Sequence, residues 1–248
     1  MAKIGIIGGS GLDDPKLMKD FKEIDIDTPY GKPSSNITTG KIGDNEIFIL
    51  ARHGRKHQIP PTQVNYRANM WALKELNCDY VLATTACGSL REEIGRGHLV
   101  ILDQFIDFTR HRKITFHEHF EQEPQHCPMA EPFNNDLRNV LINTAKEMNL
   151  KCHNKGTVVT IEGPRFSTKA ESHMFRQWVA DVINMSIAPE AVLANELGMK
   201  YAAIAMSTDY DCWKEGEESV TWEQVFQVFR KNAENVKKLL VEVVKKLK

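Results

Sequence analysis

Short apolar runs that break off at glycine or hydroxyl residues punctuate the chain. Residues 4–7 form one such run, which stops at Gly8-Gly9-Ser10-Gly11. A β-branched stretch followed by a glycine turn predicts a buried strand. Residues 47–50, 80–84, 99–102, 157–161, 182–185 and 202–205 repeat the pattern. Most are apolar throughout, as expected of strands covered on both faces.

Between several of these runs the period changes. Residues 64–76 carry Met70, Leu73 and Leu76 at helical spacing, and residues 136–148 place Leu137, Val140, Leu141, Ala145 and Met148 along one stripe. Thr168-Lys169-Ala170-Glu171 has capping-box form. Pro189 suits a first helical turn and Gly198 the matching stop. Thr221-Trp222-Glu223-Gln224 opens a last helix, whose apolar face is Val236, Leu239, Leu240, Val243, Val244 and Leu247. Alternating strands and helices predict an α/β sheet with helices on both faces. Residues 111–125 are polar and irregular and read as a long loop, a class that is often functional or mobile.

Composition narrows the class. A chain of 248 residues, 42% hydrophobic, is enough for one sizeable core and fits one large domain over 1–248. A net charge of −1 points to neither nucleic acid nor an anionic membrane as partner. The five cysteines include no CxxC pair, so reduced thiols in a cytoplasmic protein are the simplest expectation. No signal peptide is expected, and no apolar run approaches the ~20 residues of a membrane helix.

The candidate chemistry sits where strands end. The glycines of Gly8-Gly9-Ser10-Gly11 let several amides converge on an anion, with the Ser10 hydroxyl as a further donor. Phosphate binding, a structural turn and a dinucleotide fingerprint all remain open for this motif. The fingerprint, however, needs a glycine where Asp14 stands. Arg52-His53-Gly54-Arg55-Lys56-His57 packs five cationic or potentially cationic side chains into six residues. They would repel one another without a counter-anion, and arginine and histidine are apt phosphate donors. A solvated loop is the bland alternative.

Thr84-Thr85-Ala86-Cys87-Gly88-Ser89-Leu90 is a further strand end with small hydroxyl residues, in the position where open α/β sheets hold ligands. Glu162, Arg165, Phe166 and Ser167 form either a pocket wall or a structural corner. Asn184-Met185-Ser186 leads into a helix whose N-terminal amides attract anions, and Met185 suits packing on a sugar or in the core. Asp209 and Asp211, after the 202–205 strand, suit acid/base work, a metal, or recognition of a base edge. A metal finds no obvious partner cluster, and the His117/His119 pair is more simply part of a polar loop.

Together these stretches resemble the methylthioadenosine phosphorylases of the trimeric purine nucleoside phosphorylase superfamily. The likeness runs through Thr28-Pro29-Tyr30-Gly31-Lys32-Pro33-Ser34, Ala51 to Arg55, Asn65 to Asn69, Thr85 to Leu90, Asp103 to Asp107, Pro128 to Phe133, Ile161 to Ser167 and Thr208 to Trp213. It implies a nucleoside phosphorylase-like fold with a central mixed, twisted β-sheet flanked by helices. The implied activity is phosphorolysis of 5′-methylthioadenosine in purine and methionine salvage, with phosphate as co-substrate and no cofactor or metal. Ser10, Arg52, His53, Thr85, Ala86 and Ser186 would hold phosphate, Ala86 through its backbone amide. Met185 would lie under the ribose, and Asp209 and Asp211 would address the purine, with Phe166 beside it. Ser167 and Trp222 would tune substrate choice, and His126 would reach the site of a neighbouring subunit in a trimer or hexamer.

Cleaving a glycosidic bond builds positive charge on the ribose and negative charge on the purine. Asp209, if protonated, can supply the proton at N7, which requires a raised pKa. Its carbonyl oxygen also suits a 6-amino purine better than a 6-oxo purine. Trp222 is apolar, which favours a thioether at the 5′ position, but bulky where the family usually has a small aliphatic residue. A 6-oxopurine phosphorylase, a hydrolytic nucleosidase and a non-catalytic nucleotide-binding module are the competing readings.

Overall fold

The computed structural model describes residues 1–8, 18–120, 123–216 and 221–248, apart from the side chains of Trp222, Gln224, Phe229 and Lys231. Its centre is β1 (Lys3–Gly8), paired in parallel with β4 (Asn45–Ala51) and with β5 (Tyr80–Ser89). Along β1 the side chains alternate between two cores. Ile4 and Ile6 enter one, while Ile7 enters the other and Gly5 lies against Leu73 there. This is the period-2 consequence of a strand covered on both sides.

The sheet branches at β5. One path runs from β5 through β10 (Val182–Asn184) and β9 (Thr157–Ile161) to β7 (Gln104–Phe108). The other runs through β11 (Lys200–Asp209) and β6 (Leu99–Ile101) to β8 (Cys152–His153). At the far edge β4 continues to β3 (Ile37–Ile42) and β2 (Lys19–Ile24). The sheet is mixed, because β2–β3, β3–β4, β5–β10 and β6–β11 are antiparallel. Helices α1 (Tyr66–Glu75) and α4 (Ile187–Glu196) pack on the Ile7 side, and α2 (Asn135–Glu147) and α5 (Trp222–Lys246) on the Ile4 side. Helix α3 (Lys169–Gln177) covers the β9–β10 wing, with Phe175 buried between them.

The capping box at Thr168 forms in both directions: the Glu171 amide donates to the threonine hydroxyl at 3.2 Å and the Thr168 amide to the Glu171 carboxylate at 2.8 Å. Gly198 follows α4 with φ +64°, the left-handed stop expected of it.

Two strands run past their apolar segments. β5 and β11 stay in parallel register from Lys200 opposite Tyr80 to Ser207 opposite Cys87, then shift so that Asp209 faces Gly88. The hydroxyl residues expected on loops after these strands, and Asp209, therefore lie within the sheet, while Asp211 follows in the turn after β11. The pattern also missed β2, β3, β7 and β8. β2 (KDFKEI) is an almost wholly exposed edge, so nothing in it alternates. The β3–β4 hairpin turns at Gly43-Asp44, with φ +61° at Gly43, and this pair was its readable signal.

Candidate active site

The carboxyl ends of these strands enclose a cavity of about 180 Å³. It opens where β10 and β11 part from β5, and Gly88 makes that branching possible. A Cβ there would come within 2.9 Å of Asp209 Oδ1 and 3.1 Å of Ile183 Cγ2. Arg52, His53 and His57 reach the cavity from β4 and the turn after it. Thr85 and Ala86 come from β5, Met185 and Ser186 from the β10–α4 junction, Phe166 and Ser167 from the turn before α3, Asp209 from the end of β11 and Asp211 from the turn just beyond it.

Arg52 is 2% exposed and carries its own counter-ion. Its Nε and Nη2 donate to the Glu190 carboxylate at 2.5 and 2.9 Å, and Nη1 to the Thr84 carbonyl at 2.9 Å. Glu190 is fully buried and also accepts from the Tyr201 hydroxyl at 2.8 Å. Burial works against the arginine charge, and Glu190 more than offsets it. Three of the five guanidinium donors are used in this way, leaving two for a ligand.

The repulsion expected within residues 52–57 is thus relieved inside the protein. Arg55 pairs with Glu23 at 2.9 Å. Burial, reinforced by Arg52, pushes His53 down to about 4 and lowers His57 as well, so both rings are neutral near pH 7. The expectation that His53 donates to an anion also needs correcting. Its Nδ1 lies 2.9 Å from the Ile59 carbonyl. A carbonyl only accepts, so Nδ1 carries the hydrogen and Nε2 a lone pair.

A buried amide network fixes the hydroxyl side of the cavity. Asn184 Nδ2 donates to Thr85 Oγ1 at 3.3 Å, while Asn184 Oδ1 accepts from Thr160 Oγ1 at 2.8 Å and from the Ser186 amide at 3.4 Å. Ser186 occupies the N-cap of α4 but makes no side-chain capping bond. Its hydroxyl therefore remains for the cavity, but the first turn of α4 offers few amides to an anion, since Ala188 donates to Thr160 Oγ1 at 3.1 Å and Pro189 has no N–H.

Met185 is held by a residue the sequence reading passed over. Arg112, within the polar loop, has a side chain 1% exposed. It donates from Nη1 to the Met185 carbonyl at 2.5 Å and the Tyr66 hydroxyl at 2.8 Å, and from Nη2 to the Glu162 carbonyl at 2.6 Å. Further along, Thr115 and Phe116 are tied to Glu196 at 2.7 Å each. The start of the loop is thus built into the fold. Nothing in its polar sequence distinguishes this arginine from a solvated one. Gly163, at φ +67°, leaves room for the Met185 side chain, since a Cβ there would fall 2.5 Å from Met185 Sδ.

Asp209 is 8% exposed. Burial pushes its carboxyl up to about 6, against the opposing pull of the Thr208 hydroxyl at 2.7 Å and the Asp211 amide at 2.8 Å. The raised carboxyl is what proton donation requires. Burial raises Asp211 too.

Three further residues were expected at the site. Ser10 lies outside the described residues, and so does the side chain of Trp222, whose backbone begins α5. One turn on, Val225 and Phe226 line the cavity, two positions the sequence reading did not single out. His126 is exposed, packs edge-on against Phe120 at 5.8 Å, and does not line the cavity of its own chain. Among the described residues no group of three or more His, Cys, Asp or Glu is arranged to hold a metal, and no helix is long and apolar enough to cross a membrane.

Comparison with known proteins fits this geometry. The family described as Phosphorylase superfamily matches residues 3–245. The S-methyl-5′-thioadenosine phosphorylase of Danio rerio is 55% identical over 245 residues, covering 98% of this chain and 88% of that protein. The Drosophila melanogaster enzyme of the same name is 51% identical, covering 98% and 85%. Among solved structures, methylthioadenosine phosphorylase from Schistosoma mansoni in complex with adenine superposes with a TM-score of 0.94 at 44% identity, covering 99% of this chain and 91% of that one. A mutant of the adenosine/methylthioadenosine phosphorylase from that organism, in complex with methylthioadenosine, gives 0.93 at 43% identity, with the same coverage.

Proposed function

The chain belongs to the phosphorylase superfamily, and from that premise we propose that it cleaves 5′-methylthioadenosine with inorganic phosphate. The products are adenine and 5-methylthioribose 1-phosphate. The observation that carries the reading is one cavity lined both by anion-binding groups and by a buried carboxylic acid. The former are Arg52, Thr85, Ala86 and Ser186; the latter is Asp209.

In this reading phosphate sits against the two unspent Arg52 donors, the Thr85 and Ser186 hydroxyls and the Ala86 amide, with Ser10 as a further donor. Met185 lies under the ribose, with Phe166, Ser167 and Asp211 around the base. Val225 and Phe226 offer an apolar lining suited to a thioether, near where Trp222 opens α5.

Phosphate oxygen bonds to C1′ as the bond from C1′ to N9 breaks. The electron pair leaves with the purine, and the Asp209 proton passes to N7. Neutral nucleoside, monohydrogen phosphate dianion and protonated Asp209 become sugar phosphate monoanion, neutral adenine and ionised Asp209, which solvent reprotonates. Holding the anion beside the developing positive charge stabilises the transition state. We further propose that His126 completes the site of a neighbouring copy in a trimer or hexamer. The five cysteines are all unpaired, which supports a reducing compartment, the cytoplasm.

The test incubates the protein with methylthioadenosine, adenosine and inosine, with and without phosphate, and measures free base. Phosphate-dependent adenine release from methylthioadenosine is expected. Phosphate-independent release would mean hydrolysis, and no release would exclude catalysis on this substrate.

A further inference from the structure

We propose that His53 makes the anion subsite selective for a protonated oxyanion, accepting the P–O–H of monohydrogen phosphate and so discriminating against sulfate. The proposal rests on the phosphorolysis reading and adds a specificity determinant to it.

The argument begins with the ring tautomer. The Ile59 carbonyl, 2.9 Å from His53 Nδ1, fixes the hydrogen on that nitrogen. Among the described residues Nε2 has no hydrogen-bond partner, and the ring lines the cavity. The groups acting on this ring are Arg52 beside it, His57 stacked at a centroid distance of 4.6 Å, and Arg112 from the loop clamped across Tyr66. All three disfavour a second proton, as does burial, and only the Ile59 carbonyl favours it. Arg52 and Arg112 are themselves bonded to Glu190 and Glu162, so both stay in place as fixed cations.

An anion entering this site therefore meets an acceptor at Nε2. Monohydrogen phosphate brings one O–H donor along with its acceptor oxygens. Sulfate has the same shape and charge but no proton at neutral pH. A sulfate oxygen against the Nε2 lone pair is a buried mismatch of two acceptors, which is relieved only when His53 takes a proton from solvent. Sulfate binding is thus linked to uptake of about one proton, whereas monohydrogen phosphate binds with no uptake at His53 and, at the acid end of the range where dihydrogen phosphate predominates, with release of a proton. In phosphorolysis a different phosphate oxygen attacks C1′, and the proton held by His53 leaves with the sugar phosphate. His53 neither gains nor loses a proton over the cycle.

The experiment is titration calorimetry of the wild-type protein, without nucleoside, against inorganic phosphate and against sodium sulfate, from about pH 6 to about pH 8. Sulfate affinity is expected to fall about tenfold per pH unit, while the affinity for total phosphate rises as dihydrogen phosphate gives way to the monohydrogen form. His53→Gln, whose side chain does not titrate, should lose the sulfate slope and narrow the phosphate-to-sulfate ratio near pH 8 by about tenfold or more. Phosphate binding together with pH-independent sulfate binding in the wild type would overturn the role of His53 and leave phosphorolysis intact. Failure of phosphate to bind at any pH would overturn the phosphate site itself.

Discussion

Replacing Asp209 with Asn separates the cost of a buried carboxylate from every other property of the site. The side chain keeps its shape, and the amide can still accept from the Asp211 N–H and meet the Thr208 hydroxyl. In the folded protein Asp209 titrates near 6, against 3.8 for an unperturbed aspartate. A carboxyl raised in the fold contributes stability that is fully present below 3.8 and is lost as the pH rises through about 6. The shift of roughly two units corresponds to about 3 kcal/mol. Asparagine never ionises, so Asp209→Asn gains on the wild type by about that amount between about pH 4 and pH 8. For a chain of this size the gain is a difference of roughly 6–12 °C in Tm. The assay is thermal unfolding of both proteins in phosphate-free buffers across that range. Any constant effect of the amide cancels, because only the change in the gap with pH is read. Asp211 is present in both proteins and cancels to first order. Parallel curves would refute the claim that burial raises Asp209, and with it the ground for assigning this residue the proton.

The same variant should raise activity on 6-oxopurine nucleosides relative to methylthioadenosine, because an amide can donate to a 6-oxo group; unchanged substrate ratios in steady-state assays would count against Asp209 reading the base. Glu190→Ala leaves the Arg52 charge buried without its partner, so a loss of about 3–5 kcal/mol in urea unfolding is expected, together with a raised KM for phosphate. Gly88→Ala forces Asp209 off its position, and kcat should drop roughly 10- to 100-fold, as for other displacements of a reacting group; wild-type kcat would show that the strand branching has slack. Thr168→Ala removes the capping box of α3 at a cost of about 1 kcal/mol by chemical denaturation, with kcat unchanged.

The parts of the fold that were legible in the sequence are those set by local rules. The run at 4–7 had to be a strand with two covered faces, and Ile4, Ile6 and Ile7 divide between two cores as that pattern requires. The Thr168 box and the Gly198 stop are satisfied by backbone groups a few residues away, so short sequences suffice to write them. Exposed β2 left no trace, because an edge strand with no buried face has no hydrophobic period.

By itself the sequence determined which groups of chemistry stand at the strand ends: Arg52 and His53, Thr85 and Ala86, Met185 and Ser186, and the Asp209–Asp211 pair. Their family pattern follows from their order along the chain. Only the tertiary structure decided their charge states. Arg52 meets its counter-ion across 138 positions, at Glu190. Arg112 reaches Met185 across 73. Asp209 becomes an acid because β5 and β11 close over it. Residue type and spacing fix what a side chain can do. Its pKa, its tautomer and its free donors depend on burial and on partners distant in sequence, and no local pattern records those.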